Sequence, residues 1–256
     1  MLENVGRTCL AGGLTQFCLN SIYFLILALE QLTAMGDADE FLSSKLGTKE
    51  HWESAYELEL SNFTSHGDIG DIWFGEDSMQ RVVDWILESD DVMENSSILD
   101  IGCGNGAFLL CLASEGYDNL FGIDYCGTAI KLAEAIANSK KVDIKYETVD
   151  LLAEHKKSEL AGRQYDISHD KGTYDTISLS PENAEAKRQQ YIKEVYKLTK
   201  DQGLFIITSC NWTEEELISH VSDYFSVEEV IPTPTFSFGG KIGSVVTSIV
   251  FRKVVS

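Results

Sequence analysis

Proline and basic residues are both scarce in this chain of 256 residues. It holds three prolines, which argues against long disordered linkers, and 20 Lys plus Arg against 41 Asp plus Glu. The formal net charge at pH 7 is −21. A surface this acidic repels phosphate backbones, so it disfavours DNA or RNA binding through a broad basic face. It suits a cationic partner, or a surface that is acidic only for solubility.

Cysteine pairs of the C-x-x-C type are absent, although the chain has six cysteines. Several of them lie within apolar patterns, and the five histidines show no metal-ligand spacing. These patterns indicate neither a structural zinc site nor a disulfide framework. We expect buried free thiols in a reducing compartment, which is the cytoplasm or, as a second option, the nucleus.

The N-terminal region differs in composition from the rest of the chain. Residues 8–29 carry no charge, but the strongly apolar part, residues 22–29, is short for a membrane span. No small-residue cleavage site follows it. We predict that residues 1–45 form an extension outside the fold and that the domain spans residues 46–256. Membrane anchoring through residues 8–29 is the alternative.

A glycine-rich stretch at residues 97–108 is the centre of the sequence pattern. A short apolar run leads to Asp100, then Gly102, Gly104 and Gly106 occupy alternate positions, and an apolar helical pattern follows. This order predicts a strand, a tight turn and a helix start. Glycine permits the sharp turn and leaves no Cβ in the way of a ligand at the helix N-terminus.

Carboxylates follow the next two predicted strands as well. Asp124 ends the apolar run 120–124, and Asp150 follows the alternating run 144–149. A carboxylate in the position of Asp124 accepts hydrogen bonds from ribose hydroxyls. Gly102, Gly104 and Ala107 also satisfy a loose G-x-G-x-x-A dinucleotide fingerprint, so a nicotinamide or flavin protein is the competing interpretation.

Strands and helices alternate along the chain, which predicts an α/β fold with a doubly wound parallel sheet. Residues 225–231 and 244–251 are two further strands with no helix between them, so we expect them to pair antiparallel. This layout resembles the class I S-adenosylmethionine-dependent methyltransferases. The resemblance implies a Rossmann-like mixed sheet of seven strands in the order 3-2-1-4-5-7-6, with the last strand antiparallel and the ligand at the carboxyl ends of the strands.

Six motifs make the resemblance more particular. In order, and within residues 46–253, they resemble the lysine methyltransferases that act on translation elongation factor 1-alpha, most of all the methyltransferase-like 10 group. The motifs are Leu46-Gly-Thr-Lys-Glu-His-Trp52, Asp71-Ile-Trp-Phe-Gly75, Leu99-Asp-Ile-Gly-Cys-Gly-Asn-Gly106, Asp170-Lys-Gly-Thr-Tyr-Asp175, Thr208-Ser-Cys-Asn-Trp-Thr213 and Pro232-Thr-Pro-Thr-Phe-Ser-Phe-Gly-Gly240.

The resemblance implies S-adenosylmethionine as the cofactor, elongation factor 1-alpha as the protein substrate, and a monomer without nucleic-acid or stable membrane partners. Methylation of a small molecule and a non-catalytic cofactor-binding role are the alternatives. The residues that the resemblance assigns to the cofactor are Trp73, Asp100, Gly102, Gly104, Gly106, Asp124, Tyr125, Asp150, Leu151 and Asp170.

A lysine acceptor has to lose a proton before it reacts, because an ammonium group has no lone pair. Asp170, Tyr174 and Asn211 are the candidate catalytic residues. A carboxylate such as Asp170 helps to capture the lysine but also raises its pKa, so no catalytic base is assigned. The candidate walls of a lysine channel are Tyr174, Trp212, Trp73 and Phe238, with core packing as the alternative for each.

Overall fold

The computed structural model describes residues 43–153, 158–238, 241–244 and 246–255, with only the backbone of 236–238 and 241–244. Residues 8–29, and with them the question of membrane anchoring, lie outside these ranges. The extension over residues 1–45 therefore stays a prediction. Within the described ranges, no helix has both the length and the apolar character needed to cross a membrane.

A mixed sheet of seven strands forms the centre of the fold. Its order, β3-β2-β1-β4-β5-β9-β6, is the predicted one, because the ninth strand of the chain takes the seventh place in the sheet. The last strand pairs antiparallel with both of its neighbours, as expected. The strands of this sheet are β1 (Ile98–Ile101), β2 (Leu120–Asp124), β3 (Lys145–Thr148), β4 (Tyr165–Lys171), β5 (Thr199–Ser209), β6 (Phe225–Ile231) and β9 (Thr247–Lys253).

Seven α-helices accompany the sheet in the described ranges, after a single 3-10 turn at Lys45–Gly47. α1 ends at Gly67, whose left-handed backbone lets its N–H donate to the carbonyl of Phe63, and α7 begins with a capping box between Thr213 and Glu216. The helices are α1 (Lys49–His66), α2 (Glu76–Glu88), α3 (Ala107–Ser114), α4 (Gly127–Lys140), α5 (Thr173–Ser178), α6 (Ala184–Leu198) and α7 (Glu214–Val221).

A separate hairpin of two strands, β7 (Thr235–Phe238) and β8 (Lys241–Ser244), lies between β6 and β9 in the chain. The sequence pattern predicts only a connection there. Strands of four residues are too short to show a clear alternation, and prolines precede the first of them. The prediction that the last strand begins at residue 244 is wrong for the same reason, because Ser244 ends β8 and β9 begins at Thr247.

The boundary between α6 and β5 also differs from the prediction of a helix that continues to about residue 200. The helix ends at Leu198, and Thr199 already pairs with Tyr165 of β4. The buried ammonium of Lys253 donates to the Thr199 carbonyl over 2.7 Å. Sheet pairing and this hydrogen bond therefore override the local helical pattern.

An aromatic cluster at the β5–β9–β6 side shows how the sheet is stabilised. Phe205 of β5 is completely buried, lies opposite Phe251 of β9 in the antiparallel register, and packs its ring 5.3 Å from that of Phe225. Cross-strand aromatic pairs add to the free energy gained from burial.

Replacing Phe205 with alanine is expected to lower the free energy of unfolding by about 3–5 kcal/mol, because it leaves a cavity between strands. Urea denaturation followed by circular dichroism measures this loss. Val227→Ala, at a site on β6 that is 42% exposed, is the control and is expected to change stability by less than about 0.5 kcal/mol. Equal effects of the two substitutions would contradict the described packing.

Candidate active site

A cavity of about 340 Å³ opens at the carboxyl ends of the central strands. In a doubly wound sheet this edge is where ligands bind. The structure brings most of the predicted cofactor residues together around it, the exceptions being Gly106 and Asp170. Those that line the cavity are Trp73, Asp100, Gly102, Gly104, Asp124, Tyr125, Asp150 and Leu151.

The glycine turn, residues 102–106, forms the floor of the cavity. The N–H groups of Gly102 and Cys103 both donate to the carbonyl of Ile123, at 2.8 and 2.9 Å, which fixes the turn to the end of β2. Gly104 has φ of +53°, and a Cβ there would lie 2.5 Å from the Tyr56 hydroxyl. The turn therefore has room for glycine alone at this position.

Gly106 does not line the cavity and instead begins the helix that follows the glycine turn. It is the N-cap of α3 with φ of +76°, and its N–H donates to the Cys103 carbonyl over 2.8 Å. A Cβ at this position would collide with the hydroxyl of Tyr146. Its predicted contact with the cofactor stays a prediction.

Asp124 at the end of β2 is the buried carboxylate of the cavity. Its Oδ2 accepts from the Gly104 N–H at 3.1 Å and its Oδ1 from the Cys126 N–H at 2.9 Å. Burial raises the pKa of Asp124 to about 6, although these two hydrogen bonds oppose the shift. Because a carboxylate has more acceptor sites than these two bonds use, it fits the hydroxyls of a ribose.

Asp150 and Leu151 stand beside the end of β3. The exposed carboxylate of Asp150 accepts from the Leu152 N–H at 2.9 Å, which closes an Asx turn. The side chain of Leu151 is buried and offers apolar surface. The ring of Tyr125 offers a flat aromatic surface, and the Lys49 ammonium lies 5.7 Å from the centre of that ring. This combination suits an apolar base with one polar edge.

Asp100 lies inside β1 and is held by His169 of β4, the strand that pairs with β1 in the sheet. Nδ1 of His169 donates to Oδ1 of Asp100 over 2.7 Å, with both side chains buried. The His169 ring stacks on Phe108 with a centroid distance of 3.7 Å. His169 packs in the core, and its contact also orients the carboxylate that lines the cavity.

The aromatic loop, residues 71–75, forms one wall. Trp73 packs 4.4 Å from the ring of Trp52, a residue of α1. Nδ2 of Asn105 donates to the Asp71 carbonyl at 3.3 Å, and the Lys171 ammonium donates to the Trp73 carbonyl at 2.9 Å. The loop is thus joined to the glycine turn and to the end of β4.

Asp170 does not line the cavity. Its carboxylate is buried and accepts from the N–H groups of Thr173 and Tyr174, at 2.9 and 3.0 Å, and from the hydroxyl of Tyr191 in α6. Burial raises the pKa of Asp170 to about 7. The geometry favours a positioning role for Asp170, since its acceptor sites are used within the protein. A direct contact with cofactor or substrate stays a prediction.

Tyr174 and Asn211 do not line the cavity either. Tyr174 is 1% exposed, and its hydroxyl lies 3.0 Å from Nδ1 of His220. The backbone N–H of Asn211 donates to the Ser209 hydroxyl at 3.1 Å, within the turn that follows β5. Trp212 is buried and donates to Ser178. Core packing accounts for these contacts, and the catalytic roles stay predictions.

The side chain of Phe238 lies outside the described part of the structure. Lys171 and Thr173 are among the cavity residues that the sequence-based set does not include. The Thr173 hydroxyl donates to the Ile101 carbonyl over 2.8 Å, beside the glycine turn. Both residues belong to the motif at 170–175, so the sequence marks this segment as functional. It does not indicate that Lys171 contacts Trp73 or that Thr173 contacts Ile101.

A methyltransferase-domain family matches residues 93–242 of this chain. The human protein named EEF1A lysine methyltransferase 2 is 46% identical over 217 residues, which cover 84% of this chain and 90% of the relative. The Saccharomyces cerevisiae protein named protein-lysine N-methyltransferase EFM4 is 38% identical over 85% of this chain and 98% of its own length. The chain belongs to the EEF1A lysine methyltransferase 2 family.

The fold of this methyltransferase also has solved counterparts. The N-methyltransferase NodS from Bradyrhizobium japonicum WM9, solved with S-adenosyl-L-homocysteine, superposes with a TM-score of 0.57 at 19% identity. The match covers 79% of this chain and 98% of NodS. It shows a shared fold.

S-adenosylmethionine is the cofactor of this methyltransferase, and the cavity fits it. The glycine turn brings backbone to the cavity surface where a Cβ has no room, as an aminoacyl group requires. Asp124 has acceptor sites that would suit the ribose, and Leu151 with Tyr125 presents apolar surface that would suit the adenine. The family match, and not the cavity lining, decides against the dinucleotide interpretation.

Gly104→Ala is expected to weaken cofactor binding at least tenfold, about 1.4 kcal/mol, because the methyl group strains the backbone and pushes Tyr56 into the cavity. Isothermal titration calorimetry with S-adenosylmethionine measures the affinity. Gly162→Ala is the matched control, since Gly162 has φ of +78° but an added Cβ there meets nothing within 4 Å. An unchanged affinity in Gly104→Ala would contradict the described turn.

Cofactor affinity is expected to fall about tenfold per pH unit below pH 6, because the Asp124 carboxyl then carries a proton and accepts ribose hydroxyls less well. Calorimetry between pH 5 and 8 tests this, with Asp124→Asn as the variant whose profile is flat. The contribution of Asp124 to stability has the opposite sign: the folded protein holds this proton more tightly than the unfolded chain, so the contribution decreases as pH rises from about 4 to 6. Thermal unfolding at the same pH values distinguishes loss of affinity from unfolding.

Proposed function

We propose that this methyltransferase transfers the methyl group of S-adenosylmethionine to a lysine side chain of translation elongation factor 1-alpha. The observation that carries the proposal is the family membership, which extends over most of the chain. The cavity supports it, because eight of the ten residues predicted to bind the cofactor line it.

We further infer that the enzyme acts as a monomer in the cytoplasm, with the nucleus as a second compartment. The net charge of −21 supports a cationic protein substrate and argues against nucleic acid. No stable membrane partner is proposed.

The reaction is an in-line displacement at the methyl carbon, and the cofactor supplies the activated methyl group. The protein therefore contributes mainly by positioning. Asp124 and the glycine turn hold the ribose and aminoacyl parts, and Trp73 with Trp52 covers the cavity from the α1 side.

Asp124 and Asp150, at the ends of β2 and β3, would hold the ribose and adenine groups, which leaves the end of β4 for the acceptor. The 170–175 segment lies there, and Lys171, Gly172 and Thr173 line the cavity. This segment joins the cofactor turn through Thr173 and the aromatic loop through Lys171.

Incubation of the full chain with purified elongation factor 1-alpha and radiolabelled S-adenosylmethionine is expected to label a lysine of that protein. Mass spectrometry of the product identifies the lysine and the number of methyl groups. Asp124→Ala is expected to reduce kcat/KM at least tenfold, because about 1.4 kcal/mol of cofactor binding corresponds to that factor.

Two results would contradict the proposal. Free amines that outcompete the folded protein substrate would assign the enzyme to small molecules. Tight cofactor binding by calorimetry, with no transfer to elongation factor 1-alpha or to extract proteins, would indicate a non-catalytic partner protein.

A further inference from the structure

The charge of the substrate lysine presents a chemical problem at this site. A free lysine side chain has a pKa of about 10.4, so at neutral pH nearly all of it is the ammonium form, which has no lone pair. The acidic surface attracts that form and stabilises it. Something inside the cavity must favour the neutral amine if transfer is to be fast near pH 7.

Lys171 is a cation fixed at the end of β4. It lines the cavity, and its ammonium donates to the Trp73 carbonyl over 2.9 Å and lies 6.0 Å from the centre of the Phe74 ring. The neighbouring Gly172 has φ of +89°, and a Cβ on it would lie 3.1 Å from the Phe74 ring. The two loops are in contact, so the ammonium has a defined place.

The order of the strands places Lys171 on the acceptor side. Asp124 and Asp150, at the ends of β2 and β3, mark the ribose and adenine side, and the glycine turn follows β1. The next strand in the sheet is β4, which ends in Lys171. A cofactor held in this way would present its reacting end, and receive its acceptor, towards this lysine.

We propose that Lys171 holds a fixed positive charge beside the substrate amine and thereby favours its neutral, nucleophilic form. The inference rests on the proposed lysine substrate. A like charge nearby disfavours the charged state of an amine, and enzymes that activate lysine use the same effect.

The step balances without a dedicated base. The substrate ammonium gives one proton to water. The nitrogen lone pair then forms the bond to the methyl carbon while the carbon–sulfur bond breaks, and its electron pair stays on sulfur. The methylated ammonium carries two protons on nitrogen and can lose one of them to water in the same way, and the same cation favours that loss.

The charges around Lys171 permit this role at neutral pH. Burial lowers the pKa of Lys171 to about 8, while Asp100 of β1 and the adjacent Asp170 act in the opposite direction. Lys171 is thus charged below about pH 8. The other charged side chains that line the cavity are Lys49 of α1, Asp71 of the aromatic loop, Asp124 and Asp150 on the cofactor side, and Lys187 of α6, which donates to the Ser180 hydroxyl.

Three substitutions separate the charge of Lys171 from its hydrogen bond. Lys171→Met removes both, Lys171→Gln keeps a donor for the Trp73 carbonyl without the charge, and Lys171→Arg keeps both. The measurement is kcat/KM for methylation of elongation factor 1-alpha at saturating cofactor between pH 6.5 and 10. Thermal unfolding and calorimetric cofactor affinity show whether each variant is folded and loaded.

Lys171→Met and Lys171→Gln are expected to lose about tenfold at pH 7, which corresponds to one unit in the pKa of the substrate amine, and to approach the wild type above pH 9. Lys171→Arg is expected to follow the wild-type profile below pH 8. If the neutral variants do not fold, Lys171→Arg alone tests the proposal. A pH profile of kcat/KM for Lys171→Arg that differs from the wild-type profile below pH 8 would overturn the proposal.

Parallel pH profiles, in which the neutral variants lose the same factor at every pH, would also overturn the proposal and leave Lys171 as a positioning residue for the aromatic loop. Wild-type enzyme that transfers no methyl group to elongation factor 1-alpha at any pH would instead reject the proposed function. The two failures are therefore distinguishable.

Discussion

Two buried carboxylates, Asp170 and Asp175, hold together the elements that form the cavity. A carboxylate without solvent must be hydrogen-bonded, because its desolvation is costly. Asp170 satisfies this requirement with Tyr191 of α6 and the start of α5, and Asp175 accepts from the Ser209 hydroxyl at 2.6 Å, at the end of β5. Burial raises the pKa of these carboxyls to about 7 and about 6. These hydrogen bonds hold the backbone of residues 170–175 in place. From there Lys171 contacts the aromatic loop, and Thr173 contacts Ile101 beside the glycine turn.

Binding a cationic substrate and forming its neutral amine place opposite electrostatic requirements on this protein. Its surface carries a large negative charge, which favours encounter with a cationic substrate. Both signs of charge line its cavity, from Asp71, Asp100, Asp124, Asp150, Lys49, Lys171 and Lys187. In the proposed mechanism, capture needs the charged form of the substrate amine and reaction needs the neutral form. The hydrogen bond from Lys171 to the Trp73 carbonyl fixes the proposed cation at the end of β4.

The alternation of strands and helices and the glycine turn follow from local sequence patterns, whereas the strand order and the set of predicted cofactor residues come from the resemblance to methyltransferases. Asp124, for example, ends an apolar run, and its place at the sheet edge follows from topology alone. Tyr174 and Asn211 show the limit of this reasoning. Their residue types suit catalysis, yet the Tyr174 hydroxyl contacts His220, which is 46 residues away in the chain, and the backbone N–H of Asn211 bonds to Ser209 within a turn. No local pattern indicates the position of Lys171, because its hydrogen-bond partner is 98 residues distant. The β7–β8 hairpin is absent from the sequence-based prediction because its strands are too short to show a period.

That hairpin has a consequence for how the fold can change. β6 and β5 both run antiparallel to β9, so β6 ends at the edge where the cavity opens, and the hairpin leaves the sheet there. The hairpin forms a sheet of its own, so its backbone pairing contributes nothing to the register of the seven-stranded sheet. Insertions or deletions between β7 and β8 can therefore change the length of this connection without shifting any strand pair of the main sheet.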